Sequence, residues 1–225
     1  MRYIGILAIS SLILIGPGHA EAASRDAVRA NNFGGELVKQ DKLDDALVQF
    51  QQAVTLDPSF AAAQLNLAFT YDRLNRTDEA IRAYQKAIEL DPKNGAASNN
   101  LGILYEKKGL YDEAIAAIEQ ALRSDPATPN AAENLENVKK NKASLAERDA
   151  RIAAAKKQVE AQPKDPGAAY NLGRAYASCG ENDEAFHWLT QALEFGYNDF
   201  RFLRDDPALA GLKTDPRFAE LLRGR

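Results

Sequence analysis

Asparagine recurs in this chain at a fixed spacing, and its side-chain amide is a group that can bind a peptide backbone. Successive members are 34 residues apart, except for a last step of 37: Asn32, Asn66, Asn100, Asn134 and Asn171. An amide carries donors and an acceptor together, so it can pair with peptide N–H and C=O groups whatever the peptide's side chains. Each bond contributes only about 0.5–1.5 kcal/mol net, so several in a row are needed for useful affinity. The alternative is that these amides bond to a neighbouring repeat and set its angle.

Side chains one position before an asparagine, or three, six or seven positions after it, lie on or beside the same helical face, and they differ from one repeat to the next. The apolar ones would form pockets, and the basic ones would select charged ligands. For any one of them, a solvated or packing position is the alternative. Together with the five asparagines, the predicted peptide-binding residues are Phe69, Arg73, Ile103, Lys107, Tyr170 and Arg174.

The chain offers little that could support catalysis, a metal ion or a cofactor. His187 falls on a helix where a solvated side chain is the ordinary case, and Cys179 lies near a helix end, where a small buried residue is common. A reactive thiol needs a positive neighbourhood, and none is evident around Cys179. The chain has no phosphate loop, metal-ligand spacing or nucleophile elbow. We therefore expect a non-catalytic protein without cofactor or metal.

The elements that carry the asparagines repeat with the same period of 34 residues. Each of the following has a counterpart of the same kind 34 residues later: Leu67-Ala68, Tyr71, Ala80, Tyr84, Ala87 and Pro92. The first three residues share one helical face and the next three share a face of a second helix. Asp91-Pro92 ends that second helix, because proline cannot continue it. A fixed period of this length indicates a solenoid of stacked helix pairs.

In its period and in the residue type at each signature position, this pattern resembles the tetratricopeptide repeat (TPR) family. The resemblance implies an all-α fold: a right-handed superhelix of helix-turn-helix repeats, with a degenerate long-helical unit and short C-terminal closing helices. It also implies that the asparagines face the concave groove, where an extended peptide of a partner would bind. Some members clamp a terminal carboxylate with Lys and Asn, but the corresponding positions are Asn31 and Gly35, so this clamp is not expected.

The register of the repeats divides the chain into consecutive segments after a leader. The prediction is three repeats at 27–60, 61–94 and 95–128, a degenerate repeat or long helix at 129–163, a repeat at 166–199 and a capping segment at 200–225. Gly34 is interpreted as a packing position that lets two helices approach closely. Asp206-Pro207 and Asp215-Pro216 each predict an N-cap followed by proline at the first helical position. The capping segment would cover the apolar end of the last repeat.

Within the degenerate unit, apolar residues recur every seven positions: Val138, Leu145, Ile152 and Val159. Residues 131–161 contain no glycine or proline, which predicts one long helix or two helices joined by a bend near 142–144. The apolar seam would pack on the neighbouring repeats. The alternative is a coiled coil with a second copy, which would make the chain a self-associating structural protein and an oligomer possible.

The N-terminus has the features of a secretory signal peptide, predicted here for residues 1–20. A short basic head containing Arg2 precedes an apolar run at 4–15, and small residues follow. That run is too short to cross a hydrocarbon core about 30 Å thick, so we expect no membrane insertion of the mature chain and a periplasmic or secreted location. Loss of Arg2 takes the formal net charge from −4 to −5, which argues against a nucleic-acid partner. The expected function is a scaffold for a protein or peptide partner in envelope assembly.

Overall fold

The computed structural model describes residues 25–223, and every regular element in that range is a helix. This confirms the all-α prediction; the predicted signal peptide lies outside the described residues. In chain order the α-helices are α1 Arg25–Lys39, α2 Leu43–Leu56, α3 Ala61–Arg73, α4 Thr77–Leu90, α5 Gly95–Lys107, α6 Tyr111–Ser124, α7 Ala131–Ala161, α8 Pro166–Ser178, α9 Asn182–Glu194, α10 Phe200–Asp205 and α11 Pro216–Leu221, with a 3-10 helix Pro207–Leu212 before α11. The chain divides into two compact units, the first ending at Lys140 and the second beginning at Asn141. No helix in the described range is long and apolar enough to span a membrane.

Consecutive helices pack as pairs: α1 with α2, α3 with α4, and α5 with α6 in the first unit, and α8 with α9 in the second. Glycine makes the close approach possible in three of the four pairs. A Cβ atom on Gly34 would lie 2.7 Å from Cε1 of Phe50, and one on Gly173 would lie 2.9 Å from Cγ of Leu189. A Cβ atom on Gly102 would collide with Cγ1 of Ile118. These contacts confirm the packing role predicted for Gly34.

The turn inside each helix pair is set by a residue with a left-handed backbone. Asp41, Asn75 and Gly109 have φ values of 60°, 58° and 75° at equivalent positions of three successive repeats. Asp and Asn tolerate this region better than most residues, and glycine enters it without a steric penalty. In the second unit, Gly180 serves the same purpose with φ 77°. The residue type at this one position therefore determines where the first helix of each pair ends.

The second helix of each pair in the first unit ends before an aspartate that is followed by proline. α2, α4 and α6 end immediately before Asp57, Asp91 and Asp125. Each carboxylate accepts a hydrogen bond from the backbone N–H two residues later, at distances of 2.9, 3.1 and 2.9 Å. The prediction that Asp-Pro ends these helices is confirmed, and the carboxylate provides the turn with a local acceptor.

The degenerate unit forms one continuous helix, α7, of 31 residues. The structure thus contains the long helix and not the bent pair that the sequence also allowed. In the first unit, Val138 is fully buried and packs with Ala114 and Ile118. In the second unit, the other three seam residues, Leu145, Ile152 and Val159, are each half-buried. Within a single chain, the seam is thus already partly or fully covered.

The predicted capping segment, called the closing segment from here on, contains α10, the 3-10 helix and α11, each preceded by an aspartate N-cap. Asp199, Asp206 and Asp215 each accept a backbone N–H from the first turn that follows. This confirms the two predicted Asp-Pro caps and adds a third cap at Asp199. Leu203, Leu209 and Leu212 are fully buried in one cluster with residues of α8 and α9. The segment therefore covers apolar surface of the last helix pair, as repeat proteins require at their ends.

Candidate functional site

The predicted peptide-binding residues of α3 and α5 occupy equivalent positions on the first helices of neighbouring repeats. We call this set the first-helix surface: Asn66, Phe69, Arg73, Asn100, Ile103 and Lys107. Its two apolar members, Phe69 and Ile103, are half-buried, while the two basic members are exposed. The surface therefore combines partly accessible apolar side chains with cations, which suits a ligand of mixed character.

Two ion pairs link neighbouring repeats through this surface. The Nη2 atom of Arg73 lies 2.8 Å from Oδ1 of Asp41, and the Nζ atom of Lys107 lies 3.0 Å from Oδ1 of Asp72. The first pair joins α3 to the turn that follows α1, and the second joins α5 to α3. Exposed pairs of this kind contribute only about 0.2–1 kcal/mol. Exchanging one of these carboxylates for a ligand carboxylate would therefore cost little.

Three of the five predicted asparagines use their amide N–H groups to bond to the preceding repeat. The bonds are Asn66 to Oδ1 of Asn31 (2.9 Å), Asn100 to the hydroxyl of Tyr84 (3.3 Å) and Asn134 to Oδ1 of Asn99 (3.1 Å). The other two, Asn32 and Asn171, are exposed. The observed bonds match the alternative of amides that hold neighbouring repeats together. A role for the asparagines in peptide binding stays a prediction.

The acceptors Asn31 and Asn99 are not among the predicted peptide-binding residues. They are only 2% and 6% exposed, and a buried amide must find a hydrogen-bond partner. The available signal was that both form doublets with a predicted asparagine, Asn31-Asn32 and Asn99-Asn100. Asn31 of the first doublet and both residues of the second make bonds between repeats, which the spacing of 34 alone does not reveal.

Replacing Asn66 with alanine is expected to lower the free energy of unfolding by about 1–2 kcal/mol, because the buried Oδ1 of Asn31 loses its donor. Asn32, the exposed residue at the same position of the first repeat, provides the control. Its replacement by alanine should change the free energy by less than about 0.5 kcal/mol. Urea denaturation followed by circular dichroism measures both values. Equal losses in the two variants would contradict a specific stabilising role for the cross-repeat bond.

Tyr170, a predicted peptide-binding residue, is covered by the closing segment and is only 2% exposed. Its ring stacks on Tyr197 with centroids 4.3 Å apart, and its hydroxyl donates a hydrogen bond of 2.7 Å to Oδ2 of Asp206. Burial, followed by the hydrogen bond to Asp206, raises the pKa of the Tyr170 hydroxyl above its ordinary value. The hydroxyl therefore stays protonated at neutral pH and acts as a donor to the closing segment.

The second unit contains a cavity of about 360 Å³. We call it the second-unit cavity; its polar lining comes from Arg151 and Gln158 of α7 and from Asn171, Arg174 and Ser178 of α8. The remaining lining residues are four alanines. It is an open depression at the surface and not an enclosed void. The cavity brings together two of the predicted peptide-binding residues, Asn171 and Arg174.

Cys179 caps the C-terminus of α8, and His187 lies on α9. Cys179 is half-buried, and its Sγ lies 3.8 Å from Oγ of Ser178. The ring of His187 is exposed and meets that of Trp188 edge-on at 5.3 Å. Across residues 25–223, no three His, Cys, Asp or Glu side chains lie together as metal ligands.

Three protein-family models match parts of this chain. Two family models described as tetratricopeptide repeat match residues 70–131 and 167–196, and one described as TPR repeat matches residues 34–75. Together they cover more than half of the chain. The chain belongs to the TPR family. Comparison with curated proteins finds no match.

Solved TPR structures show the same fold. The first TPR of Spaghetti (RPAP3), bound to an HSP90 peptide, is 23% identical with a TM-score of 0.52, covering 53% of this chain and 95% of its own. The Sgt2 TPR domain from Aspergillus fumigatus is 19% identical with a TM-score of 0.53, covering 56% of this chain and 85% of its own. At these identities the similarity establishes the TPR fold.

The TPR matches do not include most of α7. They stop at residue 131 and resume at residue 167, whereas α7 runs from Ala131 to Ala161. The second-unit cavity therefore combines a TPR helix, α8, with a helix outside the matched repeats. Its residues Arg151 and Gln158 consequently do not belong to a matched TPR.

Proposed function

We propose that this TPR protein is a non-catalytic scaffold that binds an extended peptide segment of a partner protein. The observation that carries the proposal is the alignment of α3 and α5, which places Phe69 and Ile103 beside weakly paired cations. An extended segment could rest apolar side chains on the first pair and direct polar groups to the second. The fold is capable of such binding, since the Spaghetti (RPAP3) domain holds an HSP90 peptide.

We further propose that the protein acts in assembly within the cell envelope, from a periplasmic or secreted location. The support is the signal-peptide pattern at residues 1–20, with its basic head, apolar run and small residues. Self-association through α7 is less well supported, because part of the apolar seam is already buried within one chain. Val138 is 0% exposed within the single chain, so this part of the seam offers no surface to a second copy.

A photo-reactive benzoylphenylalanine in place of Phe69 is expected to crosslink in intact cells to discrete partner proteins. Phe69 is the suitable position because the substitution keeps an aromatic ring on the first-helix surface. The matched control places the same residue at Val48, an α2 side chain that is 57% exposed. Mass spectrometry of digested adducts should map the Phe69 crosslinks to one extended segment of each partner.

Two outcomes would contradict the proposal: no adduct at Phe69, or the same adducts at Phe69 and Val48. The first would show that the first-helix surface contacts no partner, and the second would show non-specific contact. The cell fraction that contains the adduct tests the proposed location separately.

A further inference from the structure

The second-unit cavity has an uneven charge distribution. Two guanidinium groups, those of Arg151 and Arg174, are among its lining residues, and no carboxylate is. Arg151 has no ion-pair partner among the described residues. The chain as a whole is acidic, with a formal net charge of −4, and Asp206 balances the charge of Arg174, so Arg151 supplies the net positive charge of the lining. Local cationic charge of this kind attracts anionic groups.

Arg174 is held in place from behind by the closing segment. Its Nε lies 2.8 Å from Oδ2 of Asp206, whose side chain is 0% exposed. The same carboxylate accepts the Tyr170 hydroxyl and the backbone N–H of Ala208. A guanidinium has five N–H donors, and this ion pair runs through Nε. Asp206 therefore orients Arg174, while 45% of the arginine side chain stays exposed.

Two contacts link the α7 side of the cavity to α8 and to the turn after it. The Nζ atom of Lys156 lies 5.8 Å from the ring centroid of Tyr176, and Nη1 of Arg148 lies 3.9 Å from Oε1 of Glu181. Ala155 is buried between these contacts at 7% exposure. Arg151 and Gln158 are two helical turns apart on one face of α7. The helix fixes the spacing of their backbone atoms, while both side chains are exposed.

We propose that the second-unit cavity binds an acidic peptide segment of a partner protein. Arg151 and Arg174 contact its carboxylates, since guanidinium groups match carboxylates in geometry and form charge-assisted bonds. Gln158 and Asn171 pair with the peptide backbone, because their amides both donate and accept. The inference rests on the proposed function and names the ligand class for a cavity that lies partly outside the matched TPRs.

Selection of random displayed peptides on the immobilised mature protein, residues 21–225, tests the inference. The expected result is enrichment of peptides with clustered Asp and Glu. A synthetic copy of an enriched peptide, measured by fluorescence anisotropy, should bind the Arg151→Gln variant about tenfold more weakly, as expected for one lost charged hydrogen bond. Affinity should also fall as salt is raised. The control is Lys157→Gln, which removes the same charge from an α7 residue that does not line the cavity and should leave affinity unchanged.

A charge-reversed variant, Arg151→Glu, adds a readout that a loss of stability alone would not change, namely the composition of the selected peptides. It should still select peptides, but with fewer acidic residues than the wild type selects. Selection of peptides without acidic enrichment by the wild type, or equal affinity of the acidic peptide for Arg151→Gln, would overturn the inference and leave the proposed function intact. Binding of phosphatidylglycerol vesicles without peptide enrichment would overturn it in favour of a lipid surface. Absence of any selected peptide, together with absence of Phe69 crosslinks, would overturn the proposed function itself.

Discussion

Replacing Asp206 with alanine is expected to destabilise the protein by about 2–4 kcal/mol, which combines a lost N-cap with an unsatisfied buried hydroxyl and a broken ion pair. Asp206 is the acceptor for Tyr170, the ion-pair partner of Arg174 and the cap of the 3-10 helix. Without it, the Tyr170 hydroxyl remains buried with no acceptor. Arg174 loses less, because part of its side chain reaches water.

The measurement is urea denaturation followed by the fluorescence of Trp188, the single tryptophan, which packs in the same cluster as Tyr170. Asp199→Ala is the matched control, since Asp199 caps α10 through the N–H of Phe202. It should cost about 1 kcal/mol, the usual value of an N-cap. If both variants lose the same stability, the buried contacts of Asp206 contribute nothing beyond capping.

Replacing Gly102 with valine is expected to destabilise the protein by about 2–3 kcal/mol through overpacking. A Cβ atom at this position would collide with Cγ1 of Ile118 and lie 3.0 Å from the carbonyl oxygen of Ala114. Backbone atoms of the facing helix cannot move aside as the end of a flexible side chain can. Valine therefore forces α5 and α6 apart.

Circular dichroism during urea denaturation measures this loss, with Gly211→Val as the control. Gly211 has no atom within 4 Å of the position of an added Cβ, so valine enters open space there. The control should change stability by less than about 0.5 kcal/mol. A Gly102→Val protein as stable as the control would mean that the helix pair does not depend on close contact at this position.

The helix boundaries follow from short stretches of sequence. Asp41, Asn75 and Gly109 end first helices because their residue types tolerate a left-handed backbone. Asp-Pro ends second helices because proline interrupts the hydrogen-bond ladder. The period of 34 then predicts that these helices stack, and the TPR matches confirm it.

The candidate site was predictable only as a set of positions on helical faces. Asn66 was placed correctly on its helix, but its bond to Asn31 depends on how two first helices are rotated against each other. Tyr170 was also a candidate for ligand contact, yet the closing segment buries it, with Asp206 arriving from 36 residues away. Neither contact can be predicted from the 34-residue period of the sequence.

Periodicity and local backbone preference were thus sufficient for the all-α repeat fold, because each acts within one or two helical turns. Packing decided the pairing of the asparagines, the position of Arg174 and the existence of the second-unit cavity. The cavity is lined by residues of the unbroken helix α7 and of α8, so Arg151 and Arg174 lie at one site. Contacts of this kind depend on the rotation and separation of whole helices, which residue type and spacing along the chain do not specify.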